Sequence, residues 1–422
     1  MTCMRIAVAH NRYKYAGGED TVRRAEIEML RDAGHEVFLF EVDNSVIQNT
    51  ADKIVAAASL FHSHRSSVQM ADFLRKTRPD ILHIHNWFPL LSPAVISVAK
   101  AAGVPVVQTL HNFRMLCCNA LLYRDGKICH QCVGKSLPLS GALHGCYSQS
   151  RLGSALVTAA FSYHRFANTW DGVSKFIALT EFHRSMLAQG GIDPARIMVK
   201  PNFVKDSGMV GEGNGGYALF VGRLIPEKGI RTVLQAWEQH AVPIPLRIMG
   251  DGPLADEVRS RAARLKSVEY LGQRSPAEIY AALDGARFLI FSSECYDPFS
   301  LTIVEAYSRG TPVLGTDIES TADLVQPGRT GLRFIPGDAR DLAAKAALLI
   351  SGTEDYPSLR QRCRSFYEER YTDKINYRLL LDIYSRAFVS DRAPAKYPTS
   401  PILSGLGVTQ RNVSEVEANF ND

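Results

Sequence analysis

Short, almost uninterrupted apolar runs recur along this chain, and a helical pattern follows nearly every one. They fall at residues 5–9, 36–42, 81–85, 104–110 and 176–179, then again at 217–221, 246–249, 287–291 and 312–315. A strand without polar alternation is buried on both faces, and the intervening helices are what bury it. The expected fold class is therefore α/β, with two doubly wound, Rossmann-like domains facing a central cleft. Between the two series lies Ser207-Gly208-Met209-Val210-Gly211-Glu212-Gly213-Asn214-Gly215-Gly216, which has the composition of a linker. A chain of 422 residues is long enough for two cores. The expected division is an N-terminal domain over 1–200 with an insertion at 112–150, a linker at 201–216 and a second domain over 217–370. A helix over 371–389 is expected to pack back on the first domain. The tail over 390–422, rich in Pro, Ser and Asn, is expected to be disordered.

Composition narrows the class. Hydrophobic residues make up 46% and charged residues 22%, as in a globular protein. No apolar stretch approaches the roughly 20 residues of a membrane-spanning helix, and the start lacks a signal-peptide pattern. A cytoplasmic protein is expected, with the inner face of the cell membrane as a possible station. Residues 1–200 carry 22 Lys and Arg against 15 Asp and Glu, a balance of +7, while the remainder balances at −2. A basic half suits a phosphate-bearing ligand or an anionic membrane surface. No five or six basic residues run together, and no nucleic acid is expected as a partner. The segment 151–170 mixes apolar residues with Arg151, His164 and Arg165. It fits an amphipathic helix lying on a membrane or an ordinary core helix.

In doubly wound domains the ligand sits at the carboxyl ends of the strands, so residues just after each strand are the candidate site. After the strand 287–291 come Asp297, then a helix starting near Ser300, Leu301 and Thr302, with Glu305 upon it. The free amides of a helix start suit an anion, and two carboxylates suit hydroxyls. Arg223 follows the strand 217–221 and Lys228 opens the next helix. Two fixed cations at that position can neutralise a diphosphate without a metal ion, although a surface loop with two solvated charges reads the same way. Gly17 and Gly18 supply a second anion-binding turn from the first domain. His111 with Asn112, and His85 with Asn86, follow two further strands there, the latter pair on the acceptor side of the cleft. His83 and His85 as metal ligands are disfavoured, because no carboxylate or cysteine is near them in sequence. Gly250-Asp251-Gly252-Pro253 is expected to be a turn with Pro253 at the first helical position.

Five of the eight cysteines crowd into the stretch after His111. Cys129 and Cys132 form a CxxC pair flanked by Cys117 and Cys146, with Cys118 left over. These four fit a structural zinc site or, equally, a set of unrelated buried thiols.

The run from Ser293 to Ala306, closed by Gly310-Thr311-Pro312-Val313, resembles the signature of family 4 of the retaining glycosyltransferases. Arg223 and Lys228-Gly229 match its Arg…Lys-Gly motif, Gly17-Gly18-Glu19-Asp20 is similar to one of its subfamilies, and His111 matches its cleft histidine. The likeness extends over most of residues 1–390. It implies a GT-B architecture and transfer of a sugar, with retained configuration, from a UDP- or GDP-sugar to a glycan or polyprenyl-linked acceptor. Synthesis of bacterial surface or exopolysaccharide is the implied setting, and no cofactor is implied for transfer. By the same resemblance Glu305 would bind the donor ribose, Asp297 the sugar hydroxyls, and Arg223 and Lys228 the leaving diphosphate. Gly17 and Gly18 would meet that diphosphate from across the cleft. The first signature acid is usually Glu, and Asp297 here is one methylene shorter. A non-hydrolysing sugar-nucleotide epimerase and a non-catalytic sugar-nucleotide-binding protein would share the fold. Alternating β-α units alone would also suggest a nicotinamide dehydrogenase, but no Gly-x-Gly-x-x-Gly follows the first strand.

Overall fold

Six strands form each of two wholly parallel sheets, in a computed structural model that describes residues 3–13, 17–352 and 355–392. The first sheet holds β1 (Arg5–Arg12), β2 (Glu36–Asp43), β3 (Ile81–Asn86) and β4 (Val106–Thr109), and two further strands follow an insertion. The insertion contributes a hairpin of β5 (Tyr123–Arg124) and β6 (Lys127–Ile128), after which β7 (Lys175–Ala178) and β8 (Ile197–Val199) complete that sheet. The second sheet holds β9 (Ala218–Val221), β10 (Leu246–Met249), β11 (Val268–Gly272), β12 (Phe288–Phe291), β13 (Val313–Thr316) and β14 (Gly331–Phe334). Strand orders are β2-β1-β3-β4-β7-β8 and β11-β10-β9-β12-β13-β14. Order reverses between β1 and β3 in one sheet and between β9 and β12 in the other. At such a switch point the loops diverge and leave a crevice at the strand ends.

Alternate residues of each strand feed different cores, which explains the continuous apolar runs. Ala7 and Ala9 join Leu82, Ile84, Val106 and Phe176 on one face. Ile6 and Val8 join Ile81, Val107 and Ile177 on the other, where Leu380, Ile383 and Tyr384 of the helix Asp373–Arg392 cover them. Full burial of each such side chain is worth about 1.5–3 kcal/mol, so the helix is firmly held on the N-terminal sheet. The tail expected to be disordered lies, from residue 393 on, outside the described residues.

Three features depart from expectation. The strands β8, β11 and β14 carry no clear sequence signal, being three to five residues long and partly exposed. The helix after Pro253 starts at Ala255 with Leu254 as its cap, so Pro253 precedes the helix instead of opening it. The glycine-rich segment is not a free tether. Gly211, Gly213 and Gly215 donate from their amides to the carbonyls of Arg309, Asp284 and Gly285. A Cβ on Gly211 would come within 2.3 Å of the Asp284 Cα, so this glycine serves close approach to the second domain.

Candidate functional site

The crevices of the two sheets meet in one cleft of about 1110 Å³ of space. Gly18 and His111 line it from the N-terminal domain, and Arg223, Lys228, Asp297, Ser300, Leu301 and Thr302 from the other. Eight predicted site residues, dispersed over the sequence, thus converge on one space.

The C-terminal wall is built for an anion. Ser300 caps the helix Leu301–Ser308 by position, yet its side chain makes no capping hydrogen bond. The first-turn amides therefore retain their donors, at the positive end of the helix dipole. Arg223 stands exposed at the end of β9 and forms no ion pair with a described residue. Gly250 has φ of +150°, and a Cβ there would lie 1.9 Å from the Gly222 carbonyl oxygen. Only glycine lets the turn after β10 support the loop that carries Arg223. Lys228 reaches across to Asp297 in a direct ion pair. Burial works against the Lys228 ammonium, but Asp297 outweighs it and holds the pKa above the ordinary lysine value.

Glu305 sits one helical turn deeper, half-buried, its carboxyl without a hydrogen bond or ion pair to a described residue. Burial alone pushes its carboxyl up to about 7. A half-buried acid without such a partner can accept from hydroxyl donors of a ligand. Glu294, near the signature acid in sequence, is already bonded by the Thr232 hydroxyl at 2.7 Å.

On the N-terminal wall several expectations need correction. The Gly17 amide is spent inside the protein, donating to Asp20 Oδ2 at 3.1 Å, so the neighbouring Gly18 lines the cleft alone. His85 and Asn86 do not reach the main cleft. With Asn112 they border a smaller cavity on the other side of His111. Asn86 is consumed by backbone, donating to the Asn11 carbonyl and accepting from the Phe88 amide. Asn112 accepts from the Arg114 amide at 3.0 Å. His85 lies behind His111, with Nδ1 3.0 Å from His111 Nε2.

Behind His85 is a buried acid absent from the sequence reading. Glu26, on the helix Gly18–Asp32, places Oε1 3.1 Å from His83 Nδ1 and 3.2 Å from His85 Nε2. That oxygen is shared between two rings and makes a well-aligned hydrogen bond to neither. Its other oxygen accepts from Lys200 Nζ at 2.7 Å. The premise that no carboxylate approaches His83 and His85 therefore holds along the chain and fails in space. Burial opposes the Glu26 carboxylate, yet Lys200 and the two rings hold its pKa well below the usual range. Burial pushes His85 down to about 3, and His111 is lowered too. Both rings are neutral at physiological pH.

Two more cleft residues escaped the sequence. Glu19 lines it, its carboxyl raised to about 8 by burial and by the adjacent Asp20. Asn202 lines it with a buried Oδ1 that has no hydrogen-bond partner among the described residues. Position beside Gly17-Gly18 could have flagged Glu19, whereas nothing in the sequence marks Asn202.

Across the domains, Tyr296, the residue before Asp297, is enclosed by N-terminal rings. Phe182, His130 and Phe113 place their centroids 4.6, 5.6 and 6.2 Å from it. Its hydroxyl donates to Glu319 at 3.0 Å.

Known proteins share this plan. The family model described as Glycosyltransferase Family 4 matches residues 16–207, and that described as Glycosyl transferases group 1 matches residues 215–352. A glycogen synthase of Mycobacterium tuberculosis is 26% identical over 333 residues, covering 77% of this chain and 72% of that protein. The lipopolysaccharide 1,6-galactosyltransferase of Escherichia coli is 23% identical over 260 residues, covering 57% and 72% respectively. The structure of HepE from Anabaena in complex with UDP superposes with a TM-score of 0.62 at 17% identity, over 90% of this chain and all of that one. With one family model on each domain and the GT-B arrangement beneath them, the chain belongs to the family 4 glycosyltransferases.

Proposed function

We propose that this enzyme transfers a sugar, with retention of configuration and without a metal ion, from a nucleoside diphosphate sugar to a glycan or polyprenyl-linked acceptor. The observation that carries this reading is the convergence of Arg223, Lys228 and uncapped helix amides on a space also lined by Asp297, Glu19 and the neutral His111. The cations and amides would take the diphosphate, Glu305 the ribose, Asp297 and His111 the sugar. In the transfer step the acceptor oxygen bonds to the anomeric carbon as the carbon–phosphate oxygen bond breaks. The acceptor proton passes to the departing phosphate, and the developing negative charge falls on Arg223 and Lys228. UDP in the HepE complex supports a UDP-sugar as donor, with a GDP-sugar next. The glycogen and lipopolysaccharide relatives support a role in bacterial polysaccharide synthesis.

A membrane-facing acceptor is supported by the surface of the insertion. The helix Arg151–Phe166 buries Ser154, Val157, Thr158 and Ala160, and turns Leu152, Tyr163 and Phe166 outward at 73%, 51% and 68% exposure. The adjoining helix Leu139–Leu143 exposes Leu139 and Leu143. The amphipathic expectation needs correction in its cations. His164 is buried against the Leu60 carbonyl, and Arg165 donates inward to carbonyls including that of Lys135. The outward face is thus apolar, with Arg151 at its edge.

The test is incubation with UDP- and GDP-sugars, in chelator, with and without a polyprenyl-diphosphate glycan acceptor. A glycosylated product whose anomeric signal matches the donor's supports the proposal. An altered nucleotide sugar formed without acceptor would establish the epimerase instead, and tight donor binding without turnover the binding protein.

A further inference from the structure

The insertion after His111 contains a hairpin, one short helix and turns, yet it reaches the second domain, where His130 stacks on Tyr296. Two backbone positions gather its cysteines. At Leu122 the carbonyl accepts from the Cys129 amide at 2.8 Å, while the Leu122 amide faces the Cys117 sulfur. At Gly141 the carbonyl accepts from the Cys146 amide at 3.0 Å, while the Gly141 amide faces the Cys132 sulfur. Cys117, Cys129, Cys132 and Cys146 lie within electrostatic reach of one another. Cys118 is near Cys117, Cys132 and Cys146.

We propose that Cys117, Cys129, Cys132 and Cys146 bind one zinc ion, and that this knuckle fixes the loop holding His130 against Tyr296. The donors around the sulfurs are those a thiolate site requires. Asn119 and Ala120 add their amides to that of Leu122 at Cys117, and the Arg124 guanidinium bonds Cys146. Amides and a cation of this kind offset the double negative charge of a zinc tetrathiolate. All eight cysteines are free thiols. The sulfurs have to draw together for a metal to bind. Among the described residues only Glu26, His83 and His85 place three ligand atoms within 4.8 Å of one another. That place is occupied by the Lys200 ammonium. The Cys117 thiol now donates to Asn119 Oδ1 at 3.0 Å and that of Cys132 to the Pro138 carbonyl at 3.9 Å. Both thiols would have to leave these local acceptors for the four sulfurs to close on a metal.

The consequence reaches the cleft because His130 lies inside the CxxC loop. Its ring stacks on Tyr296 at an interplanar angle of 18°, and Tyr296 adjoins Asp297. The metal would hold one domain's side of that contact.

The experiment is elemental analysis of full-length protein purified in reducing buffer without added zinc, which requires no glycosyltransfer and so stands apart from the test of function. About one zinc per chain is expected. Cys132→Ser and Cys146→Ser should lose it, while Cys118→Ser and His130→Ala should keep it. Should the ligand variants fail to fold, stepwise modification of wild-type thiols by a mercurial decides, with zinc expected to leave as about four thiols react. Wild-type protein that holds no zinc and takes none up when titrated, or zinc retained in Cys132→Ser, would overturn the proposal.

Discussion

His85 stands between a buried carboxylate and the cleft, with Nε2 3.2 Å from Glu26 and Nδ1 3.0 Å from His111 Nε2. The Glu26 charge, though off the hydrogen-bond line, favours the His85 proton on Nε2, and His85 Nδ1 then accepts from His111 Nε2–H. This fixes the His111 tautomer and leaves its Nδ1 as an acceptor. Glu26→Gln should remove the charge that anchors the relay and leave Lys200 buried without its counterion. Breaking a buried pair costs about 3–5 kcal/mol. Urea denaturation measures the loss, and an unchanged midpoint would contradict it.

The same rings set an acid limit on stability. His85 and His111 have lowered pKa values in the fold, so the unfolded chain binds more protons below the ordinary histidine value near 6.5. Stability should therefore be full above about pH 6.5 and fall as pH drops, by up to about 1.4 kcal/mol per pH unit for each histidine. Glu26, with its depressed pKa, adds a further loss below the usual glutamate value. Thermal unfolding between pH 4 and 8 tests the slope. A flat profile from 7 down to 5 would refute it.

The two signature acids should separate kinetically. Glu305→Ala is expected to weaken donor nucleotide binding, and Asp297→Ala mainly to lower turnover. Because Glu305 ionises at about 7, affinity for the free nucleotide should rise with pH through that value. The nucleotide's own phosphate also titrates, so the decisive comparison is Glu305→Gln, in which the component due to the acid disappears. Titration calorimetry at pH 6 and 8 reads both proteins.

Arg223→Ala should slow turnover while leaving the fold intact, for the side chain is exposed and makes no ion pair with a described residue. A charged hydrogen bond contributes about 1.5–3 kcal/mol, which corresponds to roughly tenfold to a hundredfold or somewhat more in rate. Activity should persist in chelator. Strict dependence on magnesium or manganese would show that the two cations do not carry the diphosphate charge alone.

Leu152→Asp combined with Phe166→Asp should abolish sedimentation with vesicles containing anionic lipid. Each inserted side chain is worth about 1.5–3 kcal/mol, so partitioning should fall by at least about a hundredfold. Wild-type protein that ignores vesicles of every composition would remove the membrane from the proposal.

The architecture was legible because strands buried on both faces read as apolar runs, as Ile6 to Ala9 and Phe288 to Phe291 do. Arg223, Lys228, Asp297 and His111 were legible because each follows such a run, where a doubly wound sheet opens. Pairings across the fold were not. Glu26 joins His83 and His85 only once a helix is laid on the sheet, and local spacing carries no trace of that. The helix Arg151–Phe166 misled for another reason. Periodicity reveals two faces but not which turns inward, and here small residues pack while the large ones look out. The glycines of the linker read as flexibility, but at Gly211 and Gly215 the missing Cβ serves contact.

The linker's attachment has a mechanical consequence. With 211–215 fastened to the second domain, pivoting between the lobes is confined to the stretch near Pro201–Val204 and to the return of the chain near Tyr371. There the Val204 amide donates to the Tyr371 carbonyl at 3.2 Å, and Asn376 donates to the Pro201 carbonyl. Two chain crossings bonded side by side act like a door hinge and not a ball joint: they permit swing about one axis and resist twist. The cleft would then open and shut along a single path, returning Asp297 and His111 to the same register at every closure.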